Sequence, residues 1–224
     1  MIIIKQLKKE YHDGASKRQQ ALQIESLRIC EGQQWVITGP SGSGKSTLLH
    51  CLAGIIRPTE GDIWAGPFHI SHMTEQELAK WRGEYIGYMF QQFNLLPALT
   101  VEENIRAGLY FSGKEIPNVS GVISQLLEAV GLDDYEDRYP GQLSVGEQQR
   151  VAAVRAVIKE PQIILADEPT ASLDEQNSRM VMELLRRYSR EHEAVLLVAS
   201  HDKAVMKEFS LALHLEKGRM THAD

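Results

Sequence analysis

Eight consecutive residues constrain this chain more than any others. Gly39, Pro40, Ser41, Gly42, Ser43, Gly44, Lys45 and Ser46 fit the pattern G-x-x-x-x-G-K-S/T. They follow a short apolar strand pattern, Gln34–Thr38, and open a helical one running from Lys45 to about Ile56. Glycines in such a loop let backbone N–H groups turn inward and approach phosphate oxygens, and the helix N-terminus adds a partial positive charge. Lys45 is expected to reach the β- and γ-phosphates of a nucleoside triphosphate, Ser46 to ligate Mg²⁺, and Thr47 to join the same phosphate-binding turn. A glycine-rich turn that binds nothing would not require a strand before it and a helix after it.

Around this segment the pattern is α/β. Ile2–Tyr11 alternates as a strand and ends in a turn around Asp13-Gly14, and a second strand is expected at Ala21–Ile29. Further strands are expected at Asp62–Ala65, Tyr85–Phe90, Gln162–Ala166 and Ala194–Ala199. Helical spacing marks Val101–Phe111, Ser120–Val130, Ser144–Lys159 and Leu173–His192, and the chain finishes with a short helix and a hairpin through Leu211–Met220. β-Branched strands joined by helical crossovers imply a mainly parallel sheet. The expected architecture is a P-loop NTPase core with an N-terminal antiparallel β subdomain and an inserted α-helical subdomain. One domain, 1–224, would then divide into a core lobe (1–91 and 160–224) and a helical lobe (92–159).

Ile163–Ala166 is an apolar strand that ends in two carboxylates, Asp167 and Glu168. At the C-terminal edge of a parallel sheet they would lie beside the phosphate loop. Asp167 can then hold Mg²⁺, and Glu168 can orient and deprotonate an attacking water. The alternative is that both merely cap the turn at Pro169-Thr170. A second strand ends at Ser200-His201-Asp202, where a lone histidine, taken by itself, is more often structural than functional.

Charge and cysteines exclude several classes. A net charge of −6 argues against binding to a nucleic-acid backbone. Cys30 and Cys51, the two cysteines of the chain, form no CxxC pair, so neither a disulfide framework nor a zinc site is expected. No apolar run approaches the roughly 18 residues needed to span a bilayer, and Met1–Lys5 reads as a strand, not a signal peptide.

Leu143, Ser144, Val145, Gly146, Glu147, Gln148, Gln149 and Arg150 resemble the signature L-S-G-G-Q of the ABC (ATP-binding cassette) family. Taken with the phosphate loop, the acidic strand and His201, the resemblance covers essentially the whole chain. It implies an ATPase. It also implies that Gln91 is the Q-loop glutamine that contacts Mg²⁺ and water, Ala171–Asp174 the D-loop, His201 the switch histidine, and Tyr11 the aromatic that stacks on adenine. Val145 replaces a glycine of the pattern and Glu147 its glutamine. Ser144-x-x-Glu147 is also a capping box, so Glu147 can simply satisfy a backbone N–H. In the family the serine and second glycine, here Ser144 and Gly146, contact the γ-phosphate held by the opposite subunit. Two chains would therefore sandwich two ATP molecules head to tail.

The run Tyr88–Thr100 followed by Glu102, Glu103 and Asn104 is most similar to the branch holding macrolide-export, lipoprotein-release, antimicrobial-peptide-resistance and cell-division ATPases. The resemblance implies a partner permease with a large extracytoplasmic domain, which would hold the chain at the cytoplasmic face of the membrane. A groove for a short permease helix is expected where Leu95 or Leu96 follows the Q-loop. A compact chain without a regulatory C-terminal domain favours this branch over importers. A soluble ABC protein acting on DNA or ribosomes would carry a far longer insertion than the stretch between Gln91 and Ser144. A regulatory subunit with little turnover would not need Glu168 and His201 together.

Overall fold

The computed structural model describes residues 1–13 and 17–223. Among the described residues, ten strands form one continuous sheet. β1 (Ile2–Asp13), β2 (Lys17–Ile29), β4 (Glu60–Ala65) and β5 (Phe68–His69) build an antiparallel part, with β1 between β2 and β4. The predicted turn between β1 and β2, at Gly14, lies outside the described residues. β3 (Gln34–Thr38), β6 (Ile86–Met89), β7 (Ile163–Asp167), β8 (Val195–Ala199) and β9 (Leu211–Glu216) run parallel in the order β9-β3-β8-β7-β6. β10 (Arg219–Ala223) returns antiparallel to β9 and joins the two parts through β2.

β7 and β8 are buried throughout, as strands covered on both faces must be. Their alternating side chains feed two apolar clusters. Ile163, Leu165, Val195 and Leu197 meet α1 (Lys45–Leu52) and α2 (Glu75–Tyr85) through Leu48, Leu49, Leu78 and Trp81. Ile164, Ala166, Leu196 and Val198 meet the opposite set: α3 (Val101–Tyr110), α4 (Val119–Glu128), α5 (Val145–Val157), α6 (Glu175–Glu191) and α7 (Lys203–Met206). The helix that follows the glycine loop and the helix that starts at Ser144 thus lie on opposite faces of the sheet.

Two expectations are corrected. α1 ends at Leu52 instead of Ile56, because Gly54 takes the left-handed conformation (φ 62°) and closes a Schellman cap. Its N–H donates to Cys51 O, and Ile55 N–H donates to His50 O. Tyr85 ends α2 and does not begin a strand. Thr74 and Glu77 cap α2 reciprocally, a signal in the sequence that its weak apolar periodicity outweighed.

Candidate active site

β3 ends at Thr38, and the chain turns through three glycines of positive φ: Gly39 (142°), Gly42 (74°) and Gly44 (104°). Two of them admit no side chain. A Cβ on Gly39 would stand 2.1 Å from Leu215 O, and one on Gly44 would stand 2.5 Å from Ala21 O. Gly44 is also the N-cap of α1 and brings no capping oxygen, whereas Thr74, Thr100 and Ser144 cap α2, α3 and α5. The first N–H groups of α1 therefore remain free to meet an anion. Lys45 is buried, and its ammonium donates to Gly39 O (2.9 Å) and Pro40 O (3.2 Å), folded over the loop it would serve. Pro40, Ser41 and Gly42 are exposed, and Ser43 is buried behind them.

β7 delivers Asp167 to the same end of the sheet. The Ser46 hydroxyl lies beside the carboxylate, whose Oδ1 is buried with no hydrogen-bond partner among the described residues. Burial raises the Asp167 pKa above the usual carboxylate value; the neighbouring Ser46 hydroxyl, His50 and Lys45 oppose that rise. An orphaned buried carboxylate oxygen beside a hydroxyl is a hard-oxygen donor set, and it fits Mg²⁺.

The next residue, Glu168, sits in the left-handed region (φ 49°), its N–H donating to Ala199 O at 2.9 Å. That backbone turn aims its carboxylate at His201, whose Nδ1 lies 2.9 Å from Glu168 Oε1. The glutamate is mostly shielded (12% side-chain exposure) and the histidine open (74%). Gln149 fixes the turn from behind: its buried amide donates to the carbonyls of Glu168 (3.3 Å) and Pro169 (2.5 Å). α5 is thereby tied to the acidic strand end. A polar residue on the apolar face of a helix is the one sequence signal that could have singled out Gln149.

Lys45, Ser46, Asp167, Glu168 and His201 thus gather at one sheet edge. Tyr11, Gln91, Ser144 and Gly146 make no side-chain hydrogen bond to that group among the described residues. Tyr11 is 44% exposed, so it is not packed in the core, and Lys9 Nζ lies 5.3 Å from its ring centre. Gln91 is exposed just beyond β6. Arg155 of α5 holds the segment after it, donating to Phe93 O (2.5 Å) and Asn94 O (2.7 Å). Asn104 holds the following stretch through the carbonyls of Leu96, Leu99 and Thr100. Leu95 packs on the core while Leu96 is exposed, and Asn94 lines a cleft of about 270 Å³ with Ile86, Phe90, Ala156 and Lys159.

Ser144 caps α5, and Val145 occupies its first turn with no positive φ, so valine is tolerated there. Glu147 completes the capping box, accepting from Ser144 N–H at 2.7 Å, and its other oxygen accepts from the Tyr135 hydroxyl at 2.7 Å. Gly146 faces Leu173: a Cβ there would meet Leu173 Cδ2 at 3.1 Å.

A parallel sheet in which an interior strand passes through a glycine loop into an uncapped helix defines the class, a P-loop nucleoside triphosphatase. Within that class the chain belongs to the ABC transporter family, whose sequence model matches residues 22–171. The lipoprotein-releasing system ATP-binding protein LolD of Legionella pneumophila (strain Paris) is 37% identical over 214 residues, covering 96% of this chain and 94% of that protein. An uncharacterized ABC transporter ATP-binding protein of Thermotoga maritima is 39% identical, covering 93% and 89%. The dimeric, post-hydrolysis ATP-binding cassette MJ0796, bound to ADP and Pi, superposes with a TM-score of 0.93 at 34% identity, covering 100% and 98% of the two chains. The chain binds ATP and is an ABC-type ATPase subunit. No helix among the described residues is long and apolar enough to cross a membrane.

Proposed function

We propose that this chain is the ATP-driven motor of an export-type or mechanotransmission complex, working as a head-to-tail dimer at the cytoplasmic face of the membrane under a permease with a large extracytoplasmic domain. The observation that carries the ATPase chemistry is the Glu168–His201 pair, 2.9 Å apart, next to the buried Asp167. Glu168 takes the proton of the attacking water, and its strained backbone turn holds it at the strand end. His201, through its other ring nitrogen, contacts the γ-phosphate. Lys45 and the N–H groups of the loop and first helical turn, from Gly39 through Thr47, bind the phosphates. Ser46, Asp167 and Gln91 would hold Mg²⁺, which would supply neutralisation of phosphate charge. Tyr11, exposed at its strand end, stacks on adenine.

The opposite placement of α1 and α5 supports a shared site. Ser144 and Gly146 open a helix on the far face of the sheet from the phosphate loop, so they are offered outward to a second copy. MJ0796, at 34% identity, is dimeric. Lipoprotein release is the work named for LolD, and we assign this chain a task of that kind, with Leu96 and the Asn94 cleft receiving a permease helix and residues 92–159 moving as a helical lobe.

Replacing Glu168 with Gln tests the assignment. ATP binding is expected to persist while turnover falls by about 10²–10⁴-fold, the worth of a positioned general base. Turnover near the wild-type rate in E168Q would remove Glu168 from that role.

A further inference from the structure

The β4–β5 edge gathers three metal-liganding side chains that the ATPase site does not use. Asp62 lies on β4, His69 ends β5, and His72 closes the single 3₁₀ turn that follows, Ile70–His72. His69 Nε2 is 2.7 Å from Asp62 Oδ1, and His72 Nε2 is 3.3 Å from the same oxygen. One ligand atom from each residue falls within 4.8 Å of the other two.

This convergence is held by the backbone. Trp64 pairs with His69 across the hairpin, and its indole stacks on the imidazole with ring centres 4.3 Å apart. Ser71 Oγ accepts Ile63 N–H at 2.9 Å, tying the 3₁₀ turn back to β4, and Ile70 is buried beneath it. In sheet order β9, β10, β2 and β1 separate β4 from β3, the strand that runs into the phosphate loop.

Two imidazole nitrogens and one carboxylate oxygen are a borderline donor set, suited to Zn²⁺, Co²⁺ or Ni²⁺ and not to Mg²⁺. Metal–ligand bonds near 2.0–2.2 Å put neighbouring donors of a tetrahedral site about 3.3 Å apart. His72 already stands at 3.3 Å from the carboxylate oxygen. His69 has to back away by roughly 0.6 Å to admit an ion. We propose that Asp62, His69 and His72 bind one borderline divalent transition-metal cation, with a fourth coordination position open to water.

The test uses the full chain, stripped with EDTA and free of nucleotide. Calorimetric titration with Zn²⁺ is expected to show one site per chain that a large excess of Mg²⁺ does not displace. His72→Ala, at an exposed position, and His69→Ala should each weaken Zn²⁺ by more than tenfold, while Mg²⁺-dependent ATPase of His72→Ala stays at the wild-type level. Ni²⁺ should quench the fluorescence of Trp64, and either variant or Trp64→Phe should remove that quench. Zn²⁺ affinity equal in wild type and His72→Ala, or Zn²⁺ displaced by Mg²⁺, would reduce the trio to a hydrogen-bonded cluster and overturn the proposal.

Discussion

At the scale of single residues, Tyr135 shows how the start of the signature helix is kept in place. Its hydroxyl donates to Glu147 Oε1, and Glu147 in turn accepts from Ser144 N–H. The Tyr135 bond is the chief reason the Glu147 carboxyl stays below its ordinary pKa; burial opposes it, and the bonds to Ser144 add to it. Tyr135→Phe removes the donor alone. We expect a loss of about 0.5–1.5 kcal/mol at neutral pH, toward the lower figure because the pair is partly solvated, measured by urea denaturation. The sign with pH follows from the lowered pKa. Stability from a depressed carboxylate is complete above its unfolded value, near 4.5, and is lost as pH falls through the folded value. The gap between wild type and Y135F should therefore narrow in acid. A constant gap from neutral pH into acid would show that the hydroxyl acts on something other than the ionised Glu147.

Among the elements, helix and sheet approach each other closely where α5 crosses β6. A Cβ on Gly87 would lie 2.3 Å from Ala156 O and 2.9 Å from Pro161 Cγ, so backbone, not a flexible side chain, stands in the way. Gly87→Ala is expected to cost about 1–3 kcal/mol, read as a lower urea midpoint; an unchanged midpoint would mean that α5 shifts freely. This crossing is also where sequence reading loses its grip. β3, β7 and β8 were legible because strands buried on both faces must be short apolar runs. α3 and α5 announced themselves by their apolar spacing. α2 buries little beyond Leu78 and Trp81, so its period was faint, and the end of α1 depended on a cap formed by Gly54. Likewise Lys45, Asp167 and Glu168 lie in linear motifs. Gln149 and Arg155 act on carbonyls that only the fold brings near, 19 positions away from Gln149 and 61 from Arg155.

For the whole molecule, the decisive feature is that one chain carries its phosphate loop and its signature on opposite faces of the sheet. If each site needs Ser144 and Gly146 from a second copy, specific ATPase activity of the isolated chain should rise with protein concentration and then level off. Lys45→Ala and Ser144→Arg chains, each inactive alone, should regain part of the activity on mixing, because one of the two pairings in the mixed dimer is intact. Activity that is independent of concentration across the dimerisation range would contradict the shared site. The grip of Arg155 and Asn104 on the stretch beyond Gln91 has a consequence of another kind. Both side chains hold main-chain groups only, Arg155 and Asn104 donating to carbonyls and Asn104 also accepting the Leu96 N–H, so neither depends on which side chains that stretch displays. Substitution at Phe93, Asn94 or Leu96 can therefore change what the outer surface recognises and leave the anchorage intact. Over evolutionary time, a surface anchored in this way could be refitted to new partners by rewriting a few outward-facing letters, with its anchorage inherited unchanged.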